Sequence, residues 1–391
     1  MKALTERQLV FILAALSAIT PLAIDMYLPA INAMSSSLNV PEPQVAISIS
    51  IFFLGLAAGQ LFGGPISDAY GRRPIVIIGL VLFCLGSIGI IFINDVRILW
   101  VLRFVQAFGG GFATVNVAAV VRDMFSGNES ARIFSMIGSI TVIAPLVAPA
   151  LGFVIISLFE IWEAIFVVLA AYSFFALFFY IRYFKTQNIV EKRKVTPIKN
   201  YIEVLTTPKP MIIMTALVIS SSGLYALLAS ASIVYMSYFG LSKFMFVVCF
   251  FMNISVMIIT SKINAKIVRR FSPLKLLRFG IKMQVLIAVA LMILHESGGI
   301  FIIAPLIALF TGMLGFIFGN AISIILEYFP KISASANALL GVLQYSVGAA
   351  AGLLVSLFDD GTLFPLIFII TLSSCIGAAI LLVGTKRAKD L

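Results

Sequence analysis

Long apolar stretches separated by short polar ones run along the whole chain. About twelve of them are close to 20 residues long, and a helix of that length crosses the roughly 30 Å hydrocarbon core of a bilayer. They cover residues 9–30, 45–66, 75–94, 98–120, 132–156, 162–183, 211–235, 244–263, 274–294, 300–322, 335–357 and 363–384. The pattern predicts an all-α integral membrane protein with twelve transmembrane helices.

The composition agrees with this prediction. Hydrophobic residues make up 61% and charged residues 11% of the 391 residues, and the mean hydropathy is +1.13. Soluble domains have about 45–50% apolar and about 25% charged residues. The composition therefore excludes a soluble globular protein.

Residues 185–209 interrupt the apolar pattern. This segment includes the basic run 192–194 and has no continuous apolar stretch. It predicts a cytoplasmic linker that divides the chain into an N-terminal six-helix bundle, residues 1–184, and a C-terminal six-helix bundle, residues 210–391.

Membrane topology accounts for the formal net charge of +11. If the N-terminus is cytoplasmic, about 23 of the 27 Lys and Arg residues fall in cytoplasmic segments, in agreement with the positive-inside rule. The exceptions are Arg97 and Lys243 in outer loops and Arg103 and Lys282 within spans. The charge distribution predicts that both termini are cytoplasmic, and it leaves no basic surface for a nucleic acid.

Few side chains are available for catalysis or metal binding. Cys84, Cys249 and Cys375 fall in different spans, where a thiol behaves as a small apolar group, and His295 is the only histidine. The chain has no G-x-x-x-x-G-K-[ST] phosphate-binding loop. These features argue against an enzyme, a metal centre, a bound cofactor and ATP hydrolysis within the chain. If the protein carries out a process that needs energy, an ion gradient across the membrane remains as its source.

Asp25 is the one acidic residue that we place deep within a span. A charged side chain at the centre of a bilayer costs about 2.5–3.5 kcal/mol on insertion scales, so such residues usually face a polar cavity or a partner. Asp25 is therefore a candidate functional group that binds and releases protons. The alternative is a structural acid that reaches the headgroups from near the end of its helix.

Arg103 in the fourth span is a possible counterpart to Asp25. At about 1.5 Å per residue, Asp25 lies roughly 24 Å from the inner surface and Arg103 about 8 Å below the outer surface, so their depths are similar. We hypothesise that the two charges are coupled, either directly or through Gln106 and water. The alternative is that the Arg103 side chain extends outward to the headgroups.

The polar segment between the second and third apolar stretches reads G-P-I-S-D-A-Y-G-R-R-P. Asp68 and Arg72 are four residues apart, and Arg73 adds a second positive charge. Gly64 and Gly71 allow the backbone to bend or to approach a neighbour closely. The segment is either a functional contact between helices or an ordinary arginine-rich cytoplasmic turn.

Other polar and helix-bending residues are weaker candidates. Two prolines and a glycine, Pro145, Pro149 and Gly152, interrupt the fifth span. Isolated polar residues within spans either join helices or contact a ligand. The candidates for a substrate cavity are Tyr27 and Gln106 in the first half and Tyr225, Asn320 and Gln344 in the second. Residues 264–271 keep the arginines of the earlier polar segment without its acid and glycine. They are a degenerate repeat of that segment or a plain basic turn.

Taken together, these motifs resemble the bicyclomycin-resistance (Bcr/CflA) family of drug exporters within the major facilitator superfamily. The matching segments are 24–29, 64–73, 103–107 with the glycines that follow, 122–123, 144–149, 319–321 and 334–345. The resemblance implies two pseudo-symmetric six-helix bundles. It also implies a proton-coupled antiporter of the bacterial inner membrane that expels drugs or cell metabolites.

The resemblance also implies roles for individual residues. Asp25 would be the protonatable group, and Arg103 would tune its affinity for protons. A contact between helices that opens and closes during transport would be formed by Gly64, Asp68, Gly71, Arg72 and Arg73, which we call the 64–73 segment. Pro145, Pro149 and Gly152 would belong to the antiporter motif of the fifth span. Ala144 departs from that motif, in which the wider superfamily has glycine.

The predicted function is proton-coupled export of drugs or other small, mostly apolar compounds by a monomer embedded in the lipid bilayer. One alternative is export of an endogenous metabolite such as a siderophore or an amino-acid derivative, and another is uptake by proton symport. A non-transporting sensor or scaffold of the same fold would suit a chain without charges at depth. A membrane-embedded enzyme would need clustered catalytic groups that this sequence lacks.

Overall fold

The protein is described by a computed structural model for residues 6–125, 127–184, 197–330 and 332–387, and these residues contain helices and no strand. The first half forms α1 (Glu6–Asp25), α2 (Ile31–Leu38), α3 (Glu42–Tyr70), α4 (Arg72–Ile90), α5 (Val96–Met124), α6 (Gly127–Phe159) and α7 (Glu163–Tyr183). The second half forms α8 (Pro197–Thr206), α9 (Pro208–Ser232), α10 (Lys243–Ile267), α11 (Pro273–Leu294), α12 (Ile300–Gly312), α13 (Leu314–Glu327), α14 (Ser333–Leu357) and α15 (Phe364–Arg387).

The prediction of twelve membrane helices is confirmed. Within the described ranges, 11 helical segments have the length and apolar composition needed to cross a membrane. A shorter apolar segment, Ile143–Phe159 in the second part of α6, corresponds to the fifth predicted span. The first span comprises α1 and α2, and the tenth comprises α12 and α13.

The chain forms two compact units, Met1–Val195 and Thr196–Leu391. Part of the predicted linker, residues 185–196, lies outside the described residues. The remainder of that segment contains α8 and the start of α9, and Val204 of α8 is buried in the core of the second unit. The domain boundaries predicted from the sequence, 1–184, 185–209 and 210–391, remain predictions.

Glycines on α3 allow α5 to pack directly against it. Gly55, Gly59 and Gly63 recur every four residues and line one face of α3. A Cβ atom at Gly55 would lie 2.6 Å from the Phe104 carbonyl oxygen, and one at Gly59 would lie 3.0 Å from the Gly111 Cα. Because only glycine permits this approach, the backbones of α3 and α5 are in direct contact.

The first span is broken immediately after Asp25. Helix α1 ends at this residue, Leu28–Ala30 form a short 3₁₀ turn, and α2 follows. Pro29 has no N–H and cannot donate to the carbonyl of Asp25, four residues earlier, so a continuous helix would lose a hydrogen bond here. The break leaves backbone groups next to the predicted functional acid without hydrogen-bond partners within the helix.

The 64–73 segment is more helical than the sequence indicates. Helix α3 continues to Tyr70, α4 begins at Arg72, and only Gly71 separates them. Gly71 has φ +94°, a conformation that favours glycine over residues with a Cβ atom. Pro74 lies in the first turn of α4, where an N–H has no partner within the helix.

Candidate functional site

Asp25 is buried inside the first unit at the end of α1, with 4% of its surface exposed. Among the described residues, no Lys or Arg nitrogen lies within 4.0 Å of its carboxylate. Arg103 nevertheless reaches the same turn of α1, as its contacts show. The Arg103 guanidinium therefore contacts the helix end that carries Asp25, but the two side chains form no direct ion pair.

Arg103 is also buried, with 0% of its surface exposed. Its Nη1 atom donates to the Ala23 carbonyl at 3.1 Å and to Gln106 Oε1 at 2.8 Å. The carbonyls in the last turn of a helix lack partners within the helix and carry a partial negative charge. The guanidinium thus caps the broken end of α1 and does not extend outward.

Aromatic rings surround the guanidinium of Arg103. Its Cζ atom lies 4.4 Å from the centre of the Phe52 ring, 4.7 Å from that of Tyr27 and 6.0 Å from that of Phe166. A desolvated cation–π contact contributes about 2 kcal/mol or more. Nε and Nη2 of Arg103 have no hydrogen-bond partner in the described part of the chain. Ring faces and two hydrogen bonds hold this buried charge, and no carboxylate is involved.

Two further hydrogen-bond chains fix the position of the site. The Tyr27 hydroxyl donates to the Val45 carbonyl at 3.0 Å and lies 2.8 Å from Ser48 Oγ, which connects the break in the first span to α3. Gln106 Nε2 donates to Ser87 Oγ at 2.8 Å, which connects α5 to α4. The break in the first span is therefore connected to α3 through Tyr27 and to α5 through Arg103, and Gln106 extends the second chain to α4.

Gly152 brings α6 against the same break. A Cβ atom at Gly152 would collide with the backbone carbonyl of Met26, the residue that follows Asp25. Pro145 and Pro149 lie within the same helix, seven and three residues before Gly152. The predicted motif of the fifth span therefore contacts the part of the first span that carries the buried acid.

The 64–73 segment forms a separate polar cluster at the ends of α3, α4 and α5. Arg72 pairs with Asp68, donates to Ser67 Oγ at 2.7 Å, and forms an ion pair with Asp123 of α5 at 3.2 Å. Arg73 Nη2 donates to the Ile181 carbonyl of α7 at 3.5 Å. Among the predicted glycines of this segment, Gly71 connects α3 and α4, and the Gly64 carbonyl accepts from Ser67 at 2.9 Å.

The candidate cavity residues of the second unit have different surroundings. Asn320 Nδ2 donates to Asn264 Oδ1 at 2.7 Å and to the Phe316 carbonyl at 2.8 Å, so this amide joins α13 to α10. The Tyr225 ring of α9 meets the Tyr345 ring of α14 edge-to-face, with centroids 5.8 Å apart. Gln344 precedes Tyr345 and is half-buried. The structure thus joins Tyr27 and Gln106 to the Arg103 site but gives Asn320 a partner on another helix.

The fold and these contacts can be compared with known proteins. The family model for the Major Facilitator Superfamily matches residues 13–353. This chain belongs to the Major Facilitator Superfamily. Membership places it in a family of membrane transporters, which is not a class of enzymes.

Relatives within the Major Facilitator Superfamily cover nearly the whole chain. The bicyclomycin resistance protein homolog of Haemophilus influenzae is 33% identical over 374 residues, which are 94% of this chain and 93% of the relative. The multidrug resistance protein MdtL of Vibrio parahaemolyticus is 28% identical over 408 residues, covering 96% and 95%. These similarities confirm the family identified from the sequence motifs.

Solved structures support the major facilitator fold. The crystal structure of D-xylose-proton symporter aligns with a TM-score of 0.78 and covers 96% of this chain and 97% of that chain. Only 12% of the aligned residues are identical, so the comparison concerns the fold alone.

Several residues of the site were not identified from the sequence. Asp123 had no assigned role beyond its place in the matching segment 122–123, yet it pairs with Arg72. Phe52 and Phe166 were indistinguishable among 34 phenylalanines. Because Asp123 is an acid predicted at the same membrane face as the arginines of the 64–73 segment, its position could have indicated this contact. No comparable signal marked the two rings.

Proposed function

We propose that this transporter is a proton-coupled antiporter that exports drugs or other small, mostly apolar compounds. The observation that carries the proposal is a buried Asp25 at the broken end of α1, to which a buried Arg103 donates a hydrogen bond while having no carboxylate partner. The names of the relatives, bicyclomycin resistance and multidrug resistance, support the class of substrate.

Asp25 is the proposed site of proton binding. Burial favours the neutral form of a carboxyl group, whereas a nearby cation favours the charged form. A movement that changes the distance between Asp25 and Arg103, or admits water to Asp25, therefore changes the affinity for protons. Arg103 caps α1 only two residues before Asp25, so a shift of the α1 end relative to α5 alters this distance.

The proposed cycle exchanges protons for substrate. On the cytoplasmic side the transporter takes up a compound as Asp25 loses its proton. After alternating access exposes the site to the other side, a proton returns to Asp25 and the compound leaves. With one acid and one arginine at depth, we expect neutral or weakly charged substrates, because a polycation would need more negative charge.

Other residues have supporting roles in this proposal. Tyr27, Gln106, Tyr225 and Gln344 are candidates for substrate contact, whereas Asn320 would first have to leave Asn264. The 64–73 segment would form and break its contact with Asp123 during the cycle, and α6 would support the broken helix through Gly152.

The proposal includes a cellular location. The transporter would act as a monomer in the bacterial inner membrane, with both termini in the cytoplasm, and its ligands would be protons and the exported compound. The basic residues expected on the cytoplasmic side support this orientation.

Asp25→Asn tests the proposed function. In a host that lacks its own drug pumps, we expect this variant to lose resistance to a substrate drug while its amount in the membrane stays unchanged. Asn cannot exchange a proton, although it has almost the same shape as Asp. Drug susceptibility and quantitative immunoblotting of membranes provide the two measurements.

Asp95→Asn is the matched control. Asp95 is exposed and caps the N-terminus of α5 through the N–H of Arg97, a role that Asn fills equally well. We expect this variant to keep full resistance. Full resistance in Asp25→Asn would remove Asp25 from the coupling mechanism.

A further inference from the structure

The short helix α8 has a face that is attached to the second unit. Val204 is fully buried in the core of that unit, and Tyr201 packs against the same core. Asn200 Nδ2 donates to Ser335 Oγ of α14 at 3.2 Å. These contacts fix the rotation of α8 about its own axis, so its other faces have defined directions.

A second face of α8 is apolar and exposed. Ile198, Ile202 and Leu205 are 73%, 54% and 48% exposed. Their spacing of four and three residues places them on one stripe. At 3.6 residues per turn, the stripe lies about a third of a turn from the attached face. A third face carries Lys199 and Glu203, both exposed.

The location of α8 determines what this stripe meets. Helix α9 is a membrane span and begins at Pro208, two residues after α8 ends. Thr207 Oγ1 donates to the Glu203 carbonyl at 2.7 Å, so the connection is short and ordered by hydrogen bonding. Helix α8 must therefore lie at the level where the hydrocarbon core meets the headgroups.

The same end of the second unit is rich in positive charge. Lys199 and Lys209 are exposed on either side of the end of α8. Successive spans cross the membrane in alternate directions, so the end of α10 and the start of α11 lie at this face, and they contribute Lys266 and Lys275. A surface with apolar residues beside lysines suits a membrane that carries anionic lipids.

We propose that α8 binds the surface of an anionic bilayer, with Ile198, Ile202 and Leu205 inserted below the headgroups and Lys199 and Lys209 at the lipid phosphates. The inference concerns a lipid contact of the second unit and does not depend on the proton-coupling proposal. The proposed ligand of the apolar stripe is lipid, and the test below distinguishes lipid from a second protein bound to the stripe.

The test compares two adjacent positions in the full-length protein. Cys84, Cys249 and Cys375 are replaced by Ala, and a single cysteine is introduced as Ile202→Cys or, for the matched control, Glu203→Cys. Each is labelled with an environment-sensitive fluorophore and reconstituted into vesicles of phosphatidylcholine and phosphatidylglycerol. A lipid-borne quencher near the headgroups and water-soluble acrylamide then report the surroundings of each label.

We expect about threefold more lipid quenching at position 202 than at position 203, and the reverse order with acrylamide. Equal acrylamide quenching at both positions would overturn the proposal, because the stripe would then be in water. Protection of position 202 from both quenchers would also overturn it, because a protein would then cover the stripe.

A second arm tests the requirement for anionic lipid. In the Ile202→Cys protein, Lys199→Gln with Lys209→Gln should reduce lipid quenching at least about twofold, as should vesicles of phosphatidylcholine alone. Unchanged quenching under both conditions would contradict the role of the lysines. The Glu203→Cys protein is the matched control for the label, and size-exclusion chromatography of every variant shows that the fold is retained.

Discussion

At the scale of single residues, the main finding is how the protein keeps Arg103 in its interior. Burying a cation is costly unless other groups replace its water. Here the rings of Tyr27 and Phe52 and the oxygens of Ala23 and Gln106 do so. Because none of these groups is an acid, the proposed proton exchange at Asp25 would not first have to break a salt bridge with Arg103.

Arg103→Lys tests the importance of the guanidinium. Lysine keeps the positive charge but lacks the planar group that lies over the rings of Tyr27 and Phe52. We expect at least about a tenfold loss of substrate-driven proton movement in proteoliposomes, and a changed dependence of the remaining activity on pH.

Arg97→Lys is the control for that experiment, because Arg97 is exposed in the first turn of the same helix. It should transport at the normal rate. Normal activity and an unchanged pH profile in Arg103→Lys would show that any cation at this position suffices.

At the scale of elements, a broken helix is held by continuous ones. The first span stops at Asp25 and resumes beyond Pro29, whereas α5 and α6 pass through without interruption. Glycines on α3 allow α5 to approach closely enough for Arg103 to reach the end of α1. The glycine contacts between helices therefore determine the geometry of the site.

Gly59→Val tests this contact. A side chain at position 59 would meet the backbone of Phe108 and Gly111, so α3 and α5 would have to separate. Overpacking of this kind costs about 1–3 kcal/mol, and we expect a large loss of the monodisperse peak in fluorescence-detected size-exclusion chromatography.

Gly319→Val is the matched control, because Gly319 lies within α13 and a Cβ atom there would have no neighbour within 4 Å. Both changes place the same β-branched residue in a helix. Equal peaks for the two variants would mean that the seam between α3 and α5 tolerates a side chain.

At the scale of the whole molecule, the described residues of the first unit contain five candidate spans and the shorter apolar segment of α6, and those of the second unit contain six candidate spans. Basic residues are concentrated in the segments that we assign to the cytoplasm, including those between α10 and α11. This asymmetry predicts that both termini are cytoplasmic.

Alkaline phosphatase fusions test the orientation. The enzyme is active only when exported, so a fusion after Gly240, between α9 and α10, should be active and a fusion after Ser272, before α11, should be inactive. We expect about a tenfold difference in activity between the two. Higher activity after Ser272 than after Gly240 would reverse the proposed topology. Immunoblots that show equal amounts of the two fusions are the control.

The number of spans, their approximate limits and the place of Asp25 within the first of them could all be read from the sequence. The hydrocarbon core is a nearly uniform solvent, so it imposes a length and a polarity on every segment regardless of the neighbouring helices. Short motifs such as the 64–73 segment also identified the family, because their residue spacing is local.

Only the tertiary structure decided which groups meet. The partners of Arg103 come from α1, α3, α5 and α7, and Asp123 lies 51 residues from the arginine that it binds. Such contacts depend on how helices are rotated and shifted against one another. In a membrane protein an apolar residue that faces lipid and one that surrounds a buried cation have the same hydropathy, so no linear pattern separates them.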